Sequence, residues 1–331
     1  MSNIQWTERI GRRLKLRDLH VLFAVVEAGS MAKASRRLAV SQPVVSQAIA
    51  DLEHALGVRL VDRHRRGIEP TIYGRSLLNH GLAAFDSLRQ GVKELEYLAD
   101  PTVGELRVGC PEWVMAGLLP VIIDKLARRY PRLVFHVQQT VPATSEFREL
   151  RQRSLDLVLG RIAAPFEAHD LQAEVLYQEE LSVVAGVRSP WARRKRIELA
   201  ELVDQRWILT PQNDLPGSLV RDAFRSSGLR PPEPIVSAFS VHLRNRLLAT
   251  GRYLSVVPDS LLVHAGHRMS FKILPVKLPI LPRPVAIVTL KNRMLSPVVR
   301  LFIDCARDLT KALAQHSLAK AAEAPLQGRP R

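Results

Sequence analysis

The sequence predicts a multidomain protein in which an N-terminal all-α winged helix-turn-helix and a long helix precede an α/β half. Residues 29–60 fit two short helices joined by a tight turn, and residues 72–99 hold the longest helical pattern in the chain. After residue 104, segments with the pattern of strands alternate with segments of helical pattern. At 331 residues the chain is long enough for two or three domains with sizeable cores.

Composition and charge indicate a globular protein with an anionic partner. The chain is 47% hydrophobic and 24% charged, as is usual for globular proteins. Its formal net charge of +16 favours nucleic acid as that partner. Residues 1–70 hold 12 Lys and Arg against 7 Asp and Glu, a net +5, which leaves +11 for the remainder. The charge therefore supports DNA binding without locating it.

The helix-turn-helix has recognisable start signals and one apolar face. A stripe over residues 16–26 adds a helix ahead of it, so the opening unit has three helices. Ser30 and Ser41 are placed as N-caps of the two following helices, and Pro43 falls in the first turn of the second, where proline is tolerated. The apolar positions of that second helix recur at the spacing of one buried face: Val45, Ala48, Ile49, Leu52 and Leu56.

The opposite face of that helix carries small and amide-tipped side chains, which suit hydrogen bonding to base edges. Basic residues on the preceding helix, and at the tip of a predicted hairpin or wing over residues 58–71, suit phosphate contacts. The candidate DNA-binding residues are Lys33, Arg36, Arg37, Ser41, Gln42, Pro43, Ser46, Gln47, Arg63, Arg65 and Arg66. The alternatives are an ordinary helical hairpin within a larger core and a solvated basic loop.

The long helix over residues 72–99 has a narrow apolar stripe close to a heptad seam. The stripe consists of Leu78, Leu82, Phe85, Leu88, Val92, Leu95 and Leu98. At about 1.5 Å per residue the helix is roughly 40 Å long. Pairing with the same helix of a second chain would place two helix-turn-helix units on the two halves of a DNA palindrome. Packing of the stripe against its own domain is the alternative.

A hinge over residues 100–104 leads into the α/β half, for which we expect a largely parallel sheet. The predicted strands are Glu105–Cys110, Leu133–Thr140, Leu155–Gly160, Leu181–Ala185, Trp207–Leu209, Tyr253–Val257 and Val285–Leu290. Helices are predicted over Met115–Tyr130, Ser145–Arg153 and from Ser296 to about Ala314. From Ala321 onward no apolar pattern remains, so we expect disorder there.

Several kinds of chemistry have no support in the sequence. Cys110 and Cys305 are the only cysteines, and they have no C-x-x-C spacing. No nucleophile-elbow, dinucleotide-binding, Walker or zincin motif occurs either. We therefore expect no enzyme activity, no cofactor and no metal site. His264 and His267 lack a third ligand nearby, and the run Arg193–Arg196 fits a solvated loop better than a second nucleic-acid patch. No signal-peptide pattern and no apolar run long enough to span a membrane occurs, so we expect a cytoplasmic protein.

The chain resembles the LysR-type transcriptional regulators. The resemblance is strongest over residues 16–75, in the patterns L-x-x-F-x-x-V-x-E-x-G-S, A-S-x-x-L-x-V-S-Q-P-x-V-S-x-x-I-x-x-L-E-x-x-L-G-V-x-L, R-x-x-x-G and T-x-x-G. It weakens after residue 104 to short marks such as Leu106–Gly109 and Leu155–Leu157. Val61 departs from the family, which usually has Phe there.

The resemblance implies a DNA-binding domain over residues 1–71, a dimerising linker helix and hinge over 72–103, and an effector domain over 104–315 like the periplasmic binding proteins. Its subdomains would be residues 104–178 with 266–313, and residues 179–265, followed by a disordered tail over 316–331. It further implies three partners: double-stranded DNA with a promoter dyad, a small-molecule effector and a second copy of the chain. Assembly into a homotetramer and contact with RNA polymerase are also expected.

An effector site is expected beyond the carboxyl ends of the strands, where ligands bind in open α/β sheets. The candidate residues are Cys110, Pro111, Glu112, Trp113, Thr140, Val141, Arg161, Thr210 and Gln212. Arg161 favours a carboxylate ligand, whereas Glu112 argues against a simple anion site and suggests that Trp113 stacks on a sugar ring. The alternatives are that Glu112 caps its own helix, that Trp113 belongs to the core and that Cys110 is a small buried hydrophobe.

Three classes of function remain open at this point. A ligand-responsive transcription factor accounts for the helix-turn-helix, the wing, the long helix and the α/β half together. An enzyme with an accessory DNA-binding domain lacks a catalytic constellation, and a periplasmic solute-binding protein would need a signal peptide. We therefore expect a sequence-specific DNA-binding regulator that responds to a small polar effector.

Overall fold

Three helices form the opening unit of the computed structural model, which describes residues 14–64, 67–140, 147–163, 165–211, 215–264 and 270–323. They are α1 (Leu16–Ala28), α2 (Met31–Arg37) and α3 (Gln42–Leu56). Their buried faces share one hydrophobic cluster, to which the predicted apolar face of α3 contributes. The chain divides into two compact units, residues 1–89 and 90–331, and each is described by itself.

The boundaries of these helices follow the predicted signals, with one difference. Ser30 and Ser41 occupy the N-cap positions of α2 and α3 with extended backbones, but neither hydroxyl accepts a capping hydrogen bond. Gly29 and Gly57 end α1 and α3 in the left-handed region, at φ of 63° and 71°, which glycine adopts without a steric penalty. Pro43 lies in the first turn of α3, as predicted.

The wing is an antiparallel hairpin of β1 (Val61–His64) and β2 (Gly67–Pro70). Glu53 of α3 anchors its start, because the carboxylate accepts the N–H groups of Leu60 (2.7 Å) and Val61 (3.3 Å). These contacts attach the hairpin directly to the helix whose exposed face is the candidate reading surface.

The long helix α4 spans Ile72–Ala99, the range predicted for it, but its apolar stripe is divided. In the first unit, Leu77, Leu78 and Phe85 pack on the helix-turn-helix core. Farther along, four apolar side chains in the predicted seam are exposed by 52–71%: Leu88, Val92, Leu95 and Leu98. The alternative of packing within the domain is therefore correct for the first half of the stripe only.

The second unit contains two five-stranded sheets. The first has the order β4-β3-β5-β12-β6 and the second the order β11-β7-β10-β8-β9. The strands are β3 (Val103–Cys110), β4 (Arg132–Gln139), β5 (Leu157–Arg161), β6 (Leu171–Glu179), β7 (Leu181–Gly186), β8 (Trp207–Leu209), β9 (Pro234–Ser237), β10 (Leu254–Pro258), β11 (Phe271–Ile273) and β12 (Arg283–Leu290). All seven predicted strands are present, each within two residues of its predicted ends.

The expectation of a largely parallel sheet was wrong, because each sheet is half antiparallel. β4-β3-β5 and β10-β8-β9 pair in parallel, whereas β12 runs antiparallel to β5 and β6, and β7 runs antiparallel to β10 and β11. The unpredicted edge strands β6 and β11 account for two of the antiparallel pairings. Because β11 pairs with β7, residues 271–273 belong to the second sheet and not to the first subdomain, where they were placed.

The helices of the second unit are α5 (Glu112–Ala116), α6 (Leu118–Arg129), α7 (Arg148–Arg151), α8 (Leu215–Ser226), α9 (Val241–Leu248), α10 (Asp259–His264) and α11 (Pro297–Glu323). The single helix predicted over 115–130 is broken at Gly117, where an added Cβ would lie 3.2 Å from the Trp113 carbonyl oxygen and 3.3 Å from Leu261. Among the described residues, no helix is long and apolar enough to cross a membrane.

The last helix corrects the predicted tail. α11 continues past the expected end near Ala314 to Glu323, so residues 316–323 are helical and not disordered. Their sequence, H-S-L-A-K-A-A-E, is rich in residues of high helix propensity, which can extend an existing helix without an apolar pattern. Residues 324–331 lie outside the described part of the chain.

Candidate DNA-binding surface and effector cleft

The exposed face of α3 presents the side chains expected to read DNA. Ser41, Gln42, Pro43 and Gln47 are exposed and Ser46 is half-buried, while the opposite face of the helix lies in the core. Exposed amide and hydroxyl groups on one face of a short helix can hydrogen-bond base edges in a major groove. The helix therefore has the separation of buried and polar faces that recognition requires.

Gln47 differs from Gln42 in having an intramolecular partner. Its Nε2 donates to Asp51 Oδ1 at 2.7 Å, one turn along α3. This bond holds the amide so that Oε1 and one N–H are left for another molecule. The (i, i+4) spacing of the pair is visible in the sequence, although the prediction did not use it.

The three basic residues of α2 have different surroundings. Lys33 is exposed, and Arg36 donates from Nε to the Ala32 carbonyl oxygen at 3.3 Å. Arg37 instead pairs with Glu27 of α1 at 2.5 Å, beside a cleft of about 330 Å³ whose walls include α1 and α4. Its guanidinium therefore has a partner already, which separates Arg37 from the other two as a phosphate contact.

The wing residues are described only in part. Arg63 is exposed on β1, whereas Arg65 and Arg66 lie outside the described residues. Val141 and Gln212 of the predicted effector site also lie outside them, as does His267. No group of three or more His, Cys, Asp or Glu that could hold a metal ion occurs among the residues that are described.

The first three effector candidates lie at the carboxyl end of β3. Cys110 is fully buried in the hydrophobic cluster of the first sheet, and burial raises the pKa of its thiol to about 12. The thiol therefore fits the alternative of a small buried hydrophobe. Pro111 and Glu112 follow it and are half-buried. Thr140 directly follows the neighbouring strand β4, and its N–H donates to the Cys110 carbonyl oxygen at 3.0 Å.

Glu112 connects the two halves of the second unit. Its Oε1 accepts the N–H of Val241, the first residue of α9, at 2.8 Å. The carboxylate thus caps the start of a helix that packs on the second sheet, rather than its own helix. Because the two residues are 129 positions apart, their sequence spacing gave no indication of this contact.

Trp113 lies between the two halves as well. It packs against the hydrophobic clusters of both sheets, and the Arg161 guanidinium lies 4.9 Å from its ring centroid. A cation at this distance over an indole face is attracted by the ring quadrupole. The core interpretation of Trp113 therefore fits its packing, and one face of the ring is already covered.

A buried polar network that the sequence reasoning missed surrounds Arg161. Glu179, at the end of β6, accepts the N–H of Ser260 at 3.1 Å and its hydroxyl at 2.5 Å, and Tyr177 donates to the same carboxylate at 3.4 Å. Burial raises the pKa of Glu179 above its usual range, although the charge of Arg161 and the bonds from Ser260 act in the opposite direction. Burial also raises the pKa of Tyr177. The only sign of this network in the sequence is that Glu179, a charged residue, follows an apolar stretch.

The last candidate in the described part of the chain, Thr210, borders the second sheet. Thr210 and Pro211 are half-buried directly after β8. Gly217 of α8 approaches them so closely that an added Cβ would lie 2.4 Å from the Pro211 carbonyl oxygen. This close approach fixes the entry of the chain into α8, but no described contact joins Thr210 to the residues around Glu112.

Two other sequence features have structural partners. Arg194 of the basic run pairs with Glu201 at 2.5 Å and lies 5.2 Å from the Trp191 ring centroid, which fits the solvated-loop interpretation. Asp156 is buried and accepts from Arg293 Nη2 at 3.0 Å and from the Arg107 N–H at 2.9 Å. Lys93 of α4 lies 3.9 Å from the same carboxylate, so the end of the long helix is tied to the first sheet.

Comparisons with known proteins agree with this arrangement. Residues 16–75 match the family described as "Bacterial regulatory helix-turn-helix protein, lysR family", and residues 99–311 match "LysR substrate binding domain". The HTH-type transcriptional regulator GbpR of Azospirillum brasilense is 31% identical over 87% of this chain and 84% of its own. The transcriptional dual regulator GltC of Bacillus subtilis is 27% identical over 92% of this chain and all of its own.

Solved structures show the same fold. A full-length OxyR variant from Pseudomonas aeruginosa superposes with a TM-score of 0.60 at 23% identity, covering 89% of this chain and 98% of the other. CbnR, a LysR family transcriptional regulator, superposes with a TM-score of 0.56 at 21% identity over 90% of this chain and all of the other. The family matches confirm the predicted resemblance and the prediction that the chain is not an enzyme. The chain belongs to the LysR family of helix-turn-helix transcriptional regulators.

Proposed function

We propose that α3 lies in the major groove of operator DNA and reads base edges through Gln42, Ser46 and Gln47, with Ser41 and Pro43 at its tip. Gln42 is exposed and can offer its full amide to one base, whereas the bond to Asp51 restricts Gln47. Lys33, Arg36 and Arg63 would contact phosphates, as would Arg65 and Arg66. Arg37 is the weakest member of this set because it pairs with Glu27.

The exposed second half of the α4 stripe supports dimerisation through the long helix. Leu88, Val92, Leu95 and Leu98 form a row of large apolar side chains that a second copy of the helix would bury. A dimer of this kind places two reading helices on the two half-sites of a dyad. Two such dimers would form the homotetramer that the family resemblance implies.

The effector would bind where Glu112, Trp113 and Arg161 connect the two sheets, with Thr140 and Thr210 at its margins. These groups suit a small polar molecule with hydroxyl or carboxylate groups. Stacking of a sugar on Trp113 would need the face that Arg161 leaves open. Such a ligand can alter regulation only through different affinities for two arrangements of the assembly, which would change DNA bending and the access of RNA polymerase. We assign the protein to the cytoplasm.

The polar outer face of α3 is the observation that carries the DNA-reading role. A gel shift and footprint on the DNA upstream of the protein's own gene, with a salt series, test it. We expect protection of a dyad spread over two adjacent sites. Equal binding to random DNA with a steep salt dependence would contradict sequence-specific reading, because phosphate contacts alone would then account for binding.

Substitutions separate base reading from phosphate binding. Gln42→Ala should lower the ratio of operator to random-DNA affinity by roughly 5- to 150-fold, because one bidentate base contact discriminates by about 1–3 kcal/mol. Arg63→Ala should weaken binding to both DNAs alike and flatten the salt dependence. A loss of affinity for Gln42→Ala that is equal on both DNAs would refute its base-reading role.

A further inference from the structure

Arg244 of α9, which no predicted site included, is half-buried as a residue, but two nitrogens of its guanidinium are fully buried. Its Nε and Nη2 atoms each expose less than 1 Å² and have no hydrogen-bond partner among the residues that the structure describes. Burial lowers the pKa of the guanidinium to about 10, so it remains charged at neutral pH. A charged side chain with two buried, unsatisfied nitrogens destabilises the folded protein, which makes its presence unexpected in a purely structural position.

The location of Arg244 connects it with the effector cleft. It lies one turn into α9, and the first N–H of that helix donates to Glu112. The negative charge of Glu112 acts on Arg244 and partly offsets the effect of burial on its pKa. Thr140, which follows β4 beside Cys110, has a buried hydroxyl that also lacks a partner among the described residues.

A structural ion pair between Arg244 and Glu112 does not explain the arrangement. In the described part of the chain, Arg244 forms no ion pair with a carboxylate oxygen at 4.0 Å or less. Glu112 Oε1 is already bonded to the Val241 N–H, which leaves Oε2 to accept from another group. The proposed effector site therefore has two guanidinium nitrogens without a described partner and one carboxylate oxygen that can accept a hydrogen bond.

We propose that Arg244 binds the carboxylate of the effector, while Glu112 accepts a hydroxyl or ammonium group of the same molecule. This inference rests on the proposed function of the cleft, and it narrows the effector to small hydroxy acids or amino acids. A guanidinium binds a carboxylate through two parallel hydrogen bonds, which would satisfy the buried nitrogens. A doubly charged phosphate is disfavoured, because Glu112 would repel it.

Thermal unfolding of the full-length protein tests the assignment. The probes are matched pairs in which the carboxylate is replaced by a neutral group: lactate with lactamide, gluconate with sorbitol, and L-serine with L-serinamide. Propionate serves as a carboxylate without a donor for Glu112. We expect at least one hydroxy or amino acid to raise the Tm of the wild-type protein, with no rise from its partner and a smaller one from propionate.

Arg244→Met supplies a second readout that needs no ligand. Replacing a buried, unsatisfied cation by an apolar side chain of similar length should raise the Tm of the ligand-free protein by about 2–4 °C and abolish the carboxylate-dependent shift. Arg246→Met, at an exposed position of the same helix, is the matched control and should change neither.

Two outcomes would overturn the proposal. One is a fall in the ligand-free Tm of Arg244→Met, which would show that Arg244 has a structural role. The other is a wild-type protein for which no carboxylate of the panel raises the Tm more than its neutral partner does. Footprinting of the same samples keeps the two proposals separate, since a protein that protects its operator but ignores carboxylates retains the regulator function and loses only the effector class.

Discussion

Asp156 is a buried charge whose removal should destabilise the second unit strongly. Its side chain and that of Arg293 are 5% and 3% exposed, and Oδ1 accepts from Arg293 Nη2 at 3.0 Å. Oδ2 accepts the Arg107 N–H at 2.9 Å, which joins β3 to the segment before β5. Asp156→Asn leaves the positive charge of Arg293 without its partner while preserving the shape of the side chain.

The magnitude follows from the cost of an uncompensated buried charge. Removing one partner of a buried ion pair costs about 3–5 kcal/mol. We take the lower end, about 3 kcal/mol, because Arg293 Nη1 also donates to the Leu155 carbonyl oxygen at 2.9 Å. For a unit of this size the loss corresponds to a fall in Tm of about 6–12 °C. Scanning calorimetry of the full-length protein measures it, in the transition assigned to the second unit.

Two further variants make the reasoning refutable. Asp124→Asn removes an exposed (i, i+4) pair with Arg128 and should cost less than about 0.5 kcal/mol. Combining Asp156→Asn with Arg293→Met removes both charges and should recover part of the lost stability. A fall in Tm for Asp156→Asn as small as that for Asp124→Asn would refute this reasoning, and so would the absence of recovery in the double variant. Either result would show that an uncompensated buried charge on Arg293 does not determine the loss of stability.

Three other predictions concern the remaining elements. Gly74→Ala should unfold the helix-turn-helix unit, as seen by circular dichroism, because its Cβ would lie 2.0 Å from the Leu60 carbonyl oxygen. Leu95→Glu should convert dimers to monomers in sedimentation, whereas Glu94→Gln, at an exposed position next to it, should not. Burial raises the folded-state pKa of Glu179, so its contribution to the free energy of unfolding should be present at low pH and be lost as the pH rises through that pKa. Glu179→Gln should flatten this dependence of stability on pH.

The local features of the fold were predictable from the sequence. The helix-turn-helix and the long helix follow from periodicity, from glycines at helix ends and from one proline, all of which act over a few residues. The limits Ile72 and Ala99 were predicted for α4 without error. The division of its stripe was not, because a heptad pattern shows which side chains are apolar and not which partner covers them.

Contacts between distant parts of the chain were not predictable. Glu112 was predicted to bind the effector, with capping of its own helix as the alternative, but its carboxylate accepts the N–H of Val241, a contact that neither interpretation included. Arg37 is predicted to contact DNA, and its ion pair with Glu27 on a different helix was not foreseen. The edge strands β6, β9 and β11 were missed because their buried side chains do not form a continuous apolar run.

Two backbone-to-carboxylate bonds that join the sheets in the described part of the chain constrain how an effector can act. In each, a carboxylate that follows or ends a strand of the first sheet accepts the N–H of a residue in the first turn of a helix on the second sheet: Glu112 with Val241, and Glu179 with Ser260. The Glu179 bond is buried beside Tyr177, whereas Glu112 is half-buried and its charge acts on Arg244. A small molecule can therefore reach the Glu112 bond more readily than the Glu179 bond. A ligand that shares Glu112 with Val241 strengthens the connection between the sheets, and one that displaces Val241 weakens it. The direction of the response thus depends on whether the hydrogen bond from the Val241 N–H to Glu112 Oε1 persists when the ligand donates to the carboxylate.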